Sequence, residues 1–189
     1  MKSILISIQP KWCKLIASGI KTVEVRKTKP KLETPFKVYI YCTKDNTDIL
    51  PSRIWWKMDK TGFQHILNGM IIGEFVCDTF ITDRTFGHDA LFNAAACMSD
   101  AEVAAYCVNK EMYGWHISDL VIYDTPRELS EFYTICPEYD KDEPICEGCD
   151  FEHTVYCGAD CPPYFECKCE GRKPLKRPPQ SWCYVEVQE

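Results

Sequence analysis

Apolar residues in the first half of the chain fall in short blocks of strand length, separated by prolines, glycines and charged turns. Ser3 to Ile8 is a short apolar run halted by Pro10, which predicts a buried first strand. Pro10 to Ser18 predicts a helix with Trp12, Leu15 and Ile16 inward, opened by a proline and closed by Gly19. Over 21–28 the period falls to two, with Val23 and Val25 alternating with Thr22, Glu24 and Arg26. That pattern predicts a half-buried strand whose polar row projects from the face opposite the core, with Lys21 at its mouth. Phe36 to Cys42 is rich in aromatic and β-branched residues and predicts a strand. The stretch 45–69, with Trp55, Trp56 and Gly62, has no clean period and reads as a long excursion containing some helix. Further on, Met70 to Ile81 predicts an apolar strand interrupted at Gly73-Glu74, and Ser99 to Val108 a helix opened by Ser-Asp-Ala-Glu. Trp115 to Tyr123 and Trp182 to Val187 predict two more strands. About six strands and two or three helices, in no βαβ order, predict an α+β fold around a small curved or closed sheet.

Composition narrows the class. At 189 residues, with 46% hydrophobic and 13% aromatic content, the chain reads as a single domain over 1–189 with a real core. No apolar run approaches the roughly 20 residues that cross a bilayer, so no membrane partner is expected. Met1 to Pro10 carries one lysine and no small-residue cleavage site, which reads as a strand and not a secretion signal; a cytoplasmic protein is expected. The net charge of −6 is polarised: residues 1–31 hold eight bases against Glu24 alone, and 171–177 add Arg172, Lys173, Lys176 and Arg177. A basic surface on an acidic body suits a local site for a defined nucleotide better than non-specific nucleic-acid binding. The plainer reading is that these lysines only solvate a helix and a loop.

The thirteen cysteines are unevenly spread. Cys13, Cys42, Cys77, Cys97 and Cys107 sit in apolar segments and read as small core residues. Seven more lie between Cys136 and Cys169, in a stretch dense in Pro, Gly, Asp and Glu, and Cys183 follows in the last strand. An odd total without a signal peptide favours thiols and metal over disulfides. Cys146-x2-Cys149 and Cys157-x3-Cys161 have the short spacing that lets two thiolates grip one tetrahedral zinc. One structural zinc, at most two, is therefore expected in an insertion at 136–170. Cys146, Cys149, Cys157 and Cys161 are the chief ligands, with Cys136, Cys167, Cys169 and His153 competing.

Candidate binding chemistry centres on the alternating strand. Lys21 is a point charge suited to a phosphate, and Arg26 a planar fork suited to a phosphate or a base edge. Glu24 is able to accept from an exocyclic amine or to hold Arg26. Glu74, inside an apolar strand, is expected to pair with Lys21 or Arg26, because an unpaired carboxylate there would be expensive. Trp12, Trp55, Trp56 and Trp115 are candidates for stacking on a base. After Pro178-Pro179, which force an extended entry into the last strand, Gln180 and Ser181 are placed to face the same cleft. The alternative throughout is a solvated strand face with an ordinary Glu–Arg pair.

Gly19, Lys21, Glu24 and Arg26 stand at the spacing G-x-K-x-x-E-x-R directly after a helix. In this the chain resembles the ASCH domain of the PUA-like superfamily, over 1–135 and again from about 178, with a similar order of strand, Pro-initiated helix, motif strand, Gly-Glu strand and Trp-His-Ile strand. The resemblance implies a PUA-like β-barrel flanked by helices, a cleft beside the motif, and recognition of RNA, a nucleotide or a modified nucleoside. One similar branch hydrolyses acylated cytidine with a lysine, a threonine and a glutamate. Lys21 matches that lysine, but Glu24 stands where the threonine would be and Thr22 lies two residues off. A carboxylate does not replace an alcohol nucleophile without a different mechanism. Some members are linked to ribonuclease activity. A nucleic-acid or nucleotide binding module is thus the leading expectation. The alternatives are an amidohydrolase or ribonuclease using Lys21 with Glu24 or Glu74 as catalytic residues, and a protein-interaction module.

Overall fold

A computed structural model describes residues 2–44, 69–82, 90–106, 111–135, 152–155, 164–167 and 171–187. Trp55, Trp56, Cys107, Cys136, Cys146, Cys149, Cys157, Cys161 and Cys169 lie outside the described residues. Among those described, the strands are β1 (Ser3–Ile8), β2 (Val23–Arg26), β3 (Phe36–Cys42), β4 (Ile71–Thr82), β5 (Tyr113–Arg127), β6 (Phe132–Ile135), β7 (Glu152–Val155), β8 (Tyr164–Cys167), β9 (Arg172–Pro174) and β10 (Trp182–Val187). The helices are α1 (Pro10–Ala17), α2 (Ala90–Ala96) and α3 (Asp100–Tyr106). The class is α+β.

Eight strands form one mixed sheet in the order β2-β5-β4-β3-β1-β10-β6-β9, and β7 and β8 pair separately. Among the described strands only β1 and β3 run parallel; the other ladders are antiparallel. The barrel expected from the sequence is not closed. Edge strand β2 stands four places from β1, a separation of roughly 19 Å across a flat sheet at about 4.8 Å per step. Yet the Arg26 side chain of β2 reaches the Ser7 carbonyl of β1. The sheet therefore curls until its edge faces the β1 end, and a side chain, not a backbone ladder, spans the remaining gap.

Three apolar clusters fill this frame. Ile4, Ile6 and Ile8 of β1 meet Cys13 and Ile16 of α1, Val38, Ile40, Phe75 and Trp115 on one face. Leu5, Tyr39, Tyr41, Ile71, Phe132 and Val185 pack on the other. Val23 and Val25 are covered by Ala96, Phe92, Met98, Val103 and Tyr106 from α2, α3 and the segment between them. Cys13, Cys42 and Cys77 are buried free thiols, and burial pushes Cys77 up to about 12, so it behaves as an inert core residue. Cys97 and Cys183 are partly buried free thiols.

Two sequence expectations change here. Strand β2 is buried on both faces, so its polar row is not a solvated face. Trp115 is fully buried, with its ring 5.7–6.0 Å from those of Phe36, Phe80 and Trp182, and it is a core residue with no face for a base. It lies opposite Glu24 in the β2–β5 ladder.

Candidate functional site: a buried charge cluster at the rim of the sheet

The site begins where β1 hands over to α1. Gln9 precedes the helix and Pro10 opens it, so no amide is wasted in the first turn. At the far end Gly19 takes φ +73°, and the amides of Ile20 and Lys21 both donate to the Leu15 carbonyl. This left-handed close turns the chain back and delivers Lys21 and β2 beside β5. The Thr22 amide then donates to the Ala95 carbonyl, tying the motif to the end of α2.

Three charged side chains follow, all buried. Lys21 is 2%, Glu24 5% and Arg26 9% exposed. Lys21 Nζ donates to the Ala96 carbonyl at 2.7 Å, satisfying an otherwise orphaned carbonyl at the C-terminal end of α2. It also lies 3.5 Å from Glu24 Oε2 and 5.0 Å from the centre of the Trp12 ring. Arg26 Nη2 lies 3.0 Å from Glu24 Oε1 and donates to the Ser7 carbonyl at 2.5 Å. Arg26 Nη1 donates to Ser181 Oγ at a long 3.4 Å, and Arg26 Nε is buried with no partner. Burial lowers the Lys21 ammonium below its ordinary range, and the attraction of Glu24 only partly restores it.

Two cations thus share one carboxylate out of solvent. The cluster carries net charge +1, and buried charge is expensive unless it is paired. Backbone carbonyls offset part of that cost. An anion arriving next to Arg26 would offset more.

A cleft of about 250 Å³ opens onto this cluster, lined by Ser7, Gln9, Trp12, Glu24, Arg26, Met98 and Tyr106, among others. A second chamber of about 570 Å³ shares Ser7, Gln9 and Arg26 with it and continues to Tyr41, Thr43, Lys44 and Pro178–Gln180. Of the residues singled out in the sequence, Trp12, Glu24, Arg26, Gln180 and Ser181 come together at this rim. Lys21 stands behind the wall and lines neither chamber.

Glu74 is elsewhere, and the expected pairing with Lys21 or Arg26 does not occur. It lies opposite Tyr39 in the β3–β4 ladder and bonds Lys37 Nζ at 2.7 Å and the Tyr123 hydroxyl at 2.5 Å. The alternation along β4 places it on the face away from the motif.

Ser7, Gln9, Tyr41, Lys44, Met98 and Tyr106 were not singled out from sequence. Ser7 had a readable signal, as the one polar residue inside Ile4-Leu5-Ile6-Ser7-Ile8. The others reach the cleft through the curl of the sheet, which no local pattern encodes.

An ASCH domain family model matches residues 6–122, well over half of the chain, and that span contains the whole charge cluster. The chain belongs to the ASCH domain family. Among solved structures, the domain is similar to the ASCH protein of Zymomonas mobilis at 18% identity and TM-score 0.47, over 67% of this chain and 73% of that one. A tyrosine-to-phenylalanine variant of that protein aligns at 19% identity and TM-score 0.48, over 68% and 77%. A serine-to-alanine variant gives 19% and 0.48, over 67% and 74%. Curated proteins yield no match.

Among the described residues no cluster of His, Cys, Asp or Glu is able to hold a metal. The four expected zinc ligands lie outside them. No described helix is long and apolar enough to cross a membrane.

Proposed function

We propose that this ASCH domain binds RNA or a nucleotide, with a base against Trp12 and a phosphate drawn to Arg26. The observation that carries the reading is the buried Lys21–Glu24–Arg26 cluster, whose excess positive charge faces a cleft with an aromatic wall. Arg26 offers a donor toward Ser181 that is only weakly engaged, and the motif strand holds it rigidly. Lys21 acts as a positioning residue, fixing Glu24 and the end of α2. The test is fluorescence anisotropy with short single-stranded RNAs and titration calorimetry with nucleotides. Arg26→Ala and Trp12→Ala should each weaken binding by about fivefold or more, with a salt dependence that shrinks in Arg26→Ala. Wild-type affinity in both folded variants would defeat the reading.

A hydrolase of the same fold, either an acylated-cytidine amidohydrolase or a ribonuclease, is the rival. Lys21 does not reach the cleft, and both Glu24 oxygens are held by cations, so neither is placed to act as a base on a ligand. Glu74 is in another part of the sheet. Turnover of labelled RNA or acylated cytidine that disappears in Lys21→Ala would revive this alternative. For a protein-interaction role, deletion of 136–170 with loss of a protein partner but not of RNA binding is the distinguishing result.

For the cysteine-rich insertion we propose one structural zinc, and one feature favours it: β7 and β8 form a separate ribbon of four residues per strand. A lone two-stranded hairpin is marginal in water without a staple. The ladder runs from Glu152↔Cys167 to Val155↔Tyr164. In sequence, Cys146 and Cys149 attach to one end, the end that also leads to Cys167 and Cys169, and Cys157 and Cys161 to the other. The two ends lie about 10 Å apart at roughly 3.3 Å per residue, so a second ion is the alternative to one ion shared by all four. Metal analysis of protein purified without added zinc should give about one equivalent, with affinity falling as pH falls because the thiolates compete with protons. Cys149→Ser that retains full zinc content would remove that knuckle from the site.

A further inference from the structure

The two chambers at the rim differ in kind. The inner one has the Trp12 ring, Met98, Tyr106 and the Glu24 carboxylate. The outer one has Lys44, Tyr41, Thr43 and Gln180 and, among the described residues, no carboxylate in its wall. Arg26 lines both. Its Nη2 is committed to Glu24 and Ser7 on one side, while Nη1 points to Ser181, next to the Gln180 of the outer wall. Volume separates them too. The inner chamber alone, at about 250 Å³, falls below the roughly 300–1,000 Å³ usual for small-molecule sites, and only with the outer chamber does the cleft reach that range.

Lys44, an exposed side chain, lines the outer chamber. Gly69, at φ +82°, lies under its stem, and a Cβ there would stand 2.8 Å from Lys44 Cε. The Tyr41 hydroxyl, raised in pKa by burial, stays a hydrogen-bond donor at neutral pH.

We infer that the cleft is polar end to end: it takes a phosphate-bearing ligand, a ribonucleotide unit, with its base in the inner chamber and its phosphate in the outer one between Arg26 and Lys44. The opposite orientation would set the phosphate against the Glu24 carboxylate. This rests on the nucleotide-binding reading above and adds an orientation and a second cation to it. Lys44 touches the ligand directly in this arrangement.

Calorimetry with the four ribonucleosides, their 5′- and 3′-monophosphates and a tetranucleotide RNA tests it on the full chain. The best monophosphate or the tetranucleotide should bind at least tenfold tighter than its nucleoside. Lys44→Ala should cut that ratio several-fold. Monophosphate binding would mark a free nucleotide, and binding confined to the tetranucleotide would mark RNA; either supports the orientation if it depends on Lys44. A ratio indifferent to Lys44→Ala would overturn the inference while leaving the wider reading in place, and equal affinity for nucleoside and nucleotide would overturn both. If none of the probes binds, or if binding ignores Arg26→Ala and Trp12→Ala, both fall together.

Discussion

Glu24 and Glu74 are both strand glutamates bonded to a lysine, yet they do opposite things. Glu74 sits 2.7 Å from Lys37, the shorter contact, but the two side chains are 22% and 43% exposed. Glu24 is 3.5 Å from Lys21 and 3.0 Å from Arg26, with all three side chains at 11% exposure or less. At equal distance, a Coulomb interaction is several times stronger in a protein-like medium than in bulk water. Burial, not contact distance, therefore decides which pair matters. It also decides the sign of what is left over: the Glu74 pair is locally neutral, while the Glu24 cluster holds a surplus cation facing a cleft. A buried charge surplus marks a place meant for something else.

The largest effect that separates the two is on folding. Glu24→Ala strands two buried cations and should lower unfolding free energy by about 3–5 kcal/mol, the usual loss when one partner of a buried pair is removed. Glu74→Ala should lose about 0–1 kcal/mol, as for a solvent-screened pair. Urea unfolding of both variants checks the contrast. A Glu24→Ala protein no less stable than Glu74→Ala would mean that the cluster is better solvated than its burial implies.

Binding separates them next. Trp12→Ala should weaken RNA or nucleotide affinity by about 1–3 kcal/mol, the range for loss of one base–aromatic stack. Lys37→Ala, which removes the cation from the Glu74 pair, should leave affinity unchanged in the same assay. Arg26→Lys keeps the charge but loses the fork, so it should fall between wild type and Arg26→Ala. An Arg26→Lys protein indistinguishable from wild type would reduce Arg26 to a bare point charge.

Much of this was legible in the chain. The β1 and β10 boundaries, Ser3–Ile8 and Trp182–Val187, coincide with their apolar runs, and the left-handed close at Gly19 follows from its place after a helix. Helix α2, with the small-residue sequence Ala-Leu-Phe-Asn-Ala-Ala-Ala, and the short strands β6 to β9 were missed, since strands of three or four residues carry too little periodicity to read. The motif spacing fixed which residues of β2 matter, but alternation alone assigned Glu24 and Arg26 to solvent. Their burial depends on α1 and the β1 end closing over that face, which is tertiary. The misassigned partner of Glu74 has the same origin: Lys37 becomes its neighbour only through the β3–β4 register.

The smallest effect, and the one that reads the two environments most directly, is the pH dependence of stability. For Glu74, burial pushes the carboxyl upward, but bonds from Lys37 and Tyr123 outweigh it and hold the group below its ordinary 4.5. A depressed carboxyl stabilises the fold above its unfolded value and loses that contribution as pH falls through the lower folded value. Glu74→Gln should therefore flatten the acid limb of the stability curve below about pH 4.5 and lower stability by a constant amount, with no change of slope, at pH 7–9. Lys21 works at the other end. Its folded value lies below the ordinary 10.5 because burial disfavours the ammonium. The unfolded chain then holds more protons in the window beneath 10.5, so stability attributable to this lysine rises with pH there, and the cost of burying the charge is full below the folded value. The comparison is wild type against Lys21→Met, by urea midpoint from pH 7 to 10.5. The difference curve should slope upward for wild type across that window. A flat Lys21 difference would place its ammonium in contact with water, and with it would go the argument that the cluster stores unpaired charge for an anionic ligand.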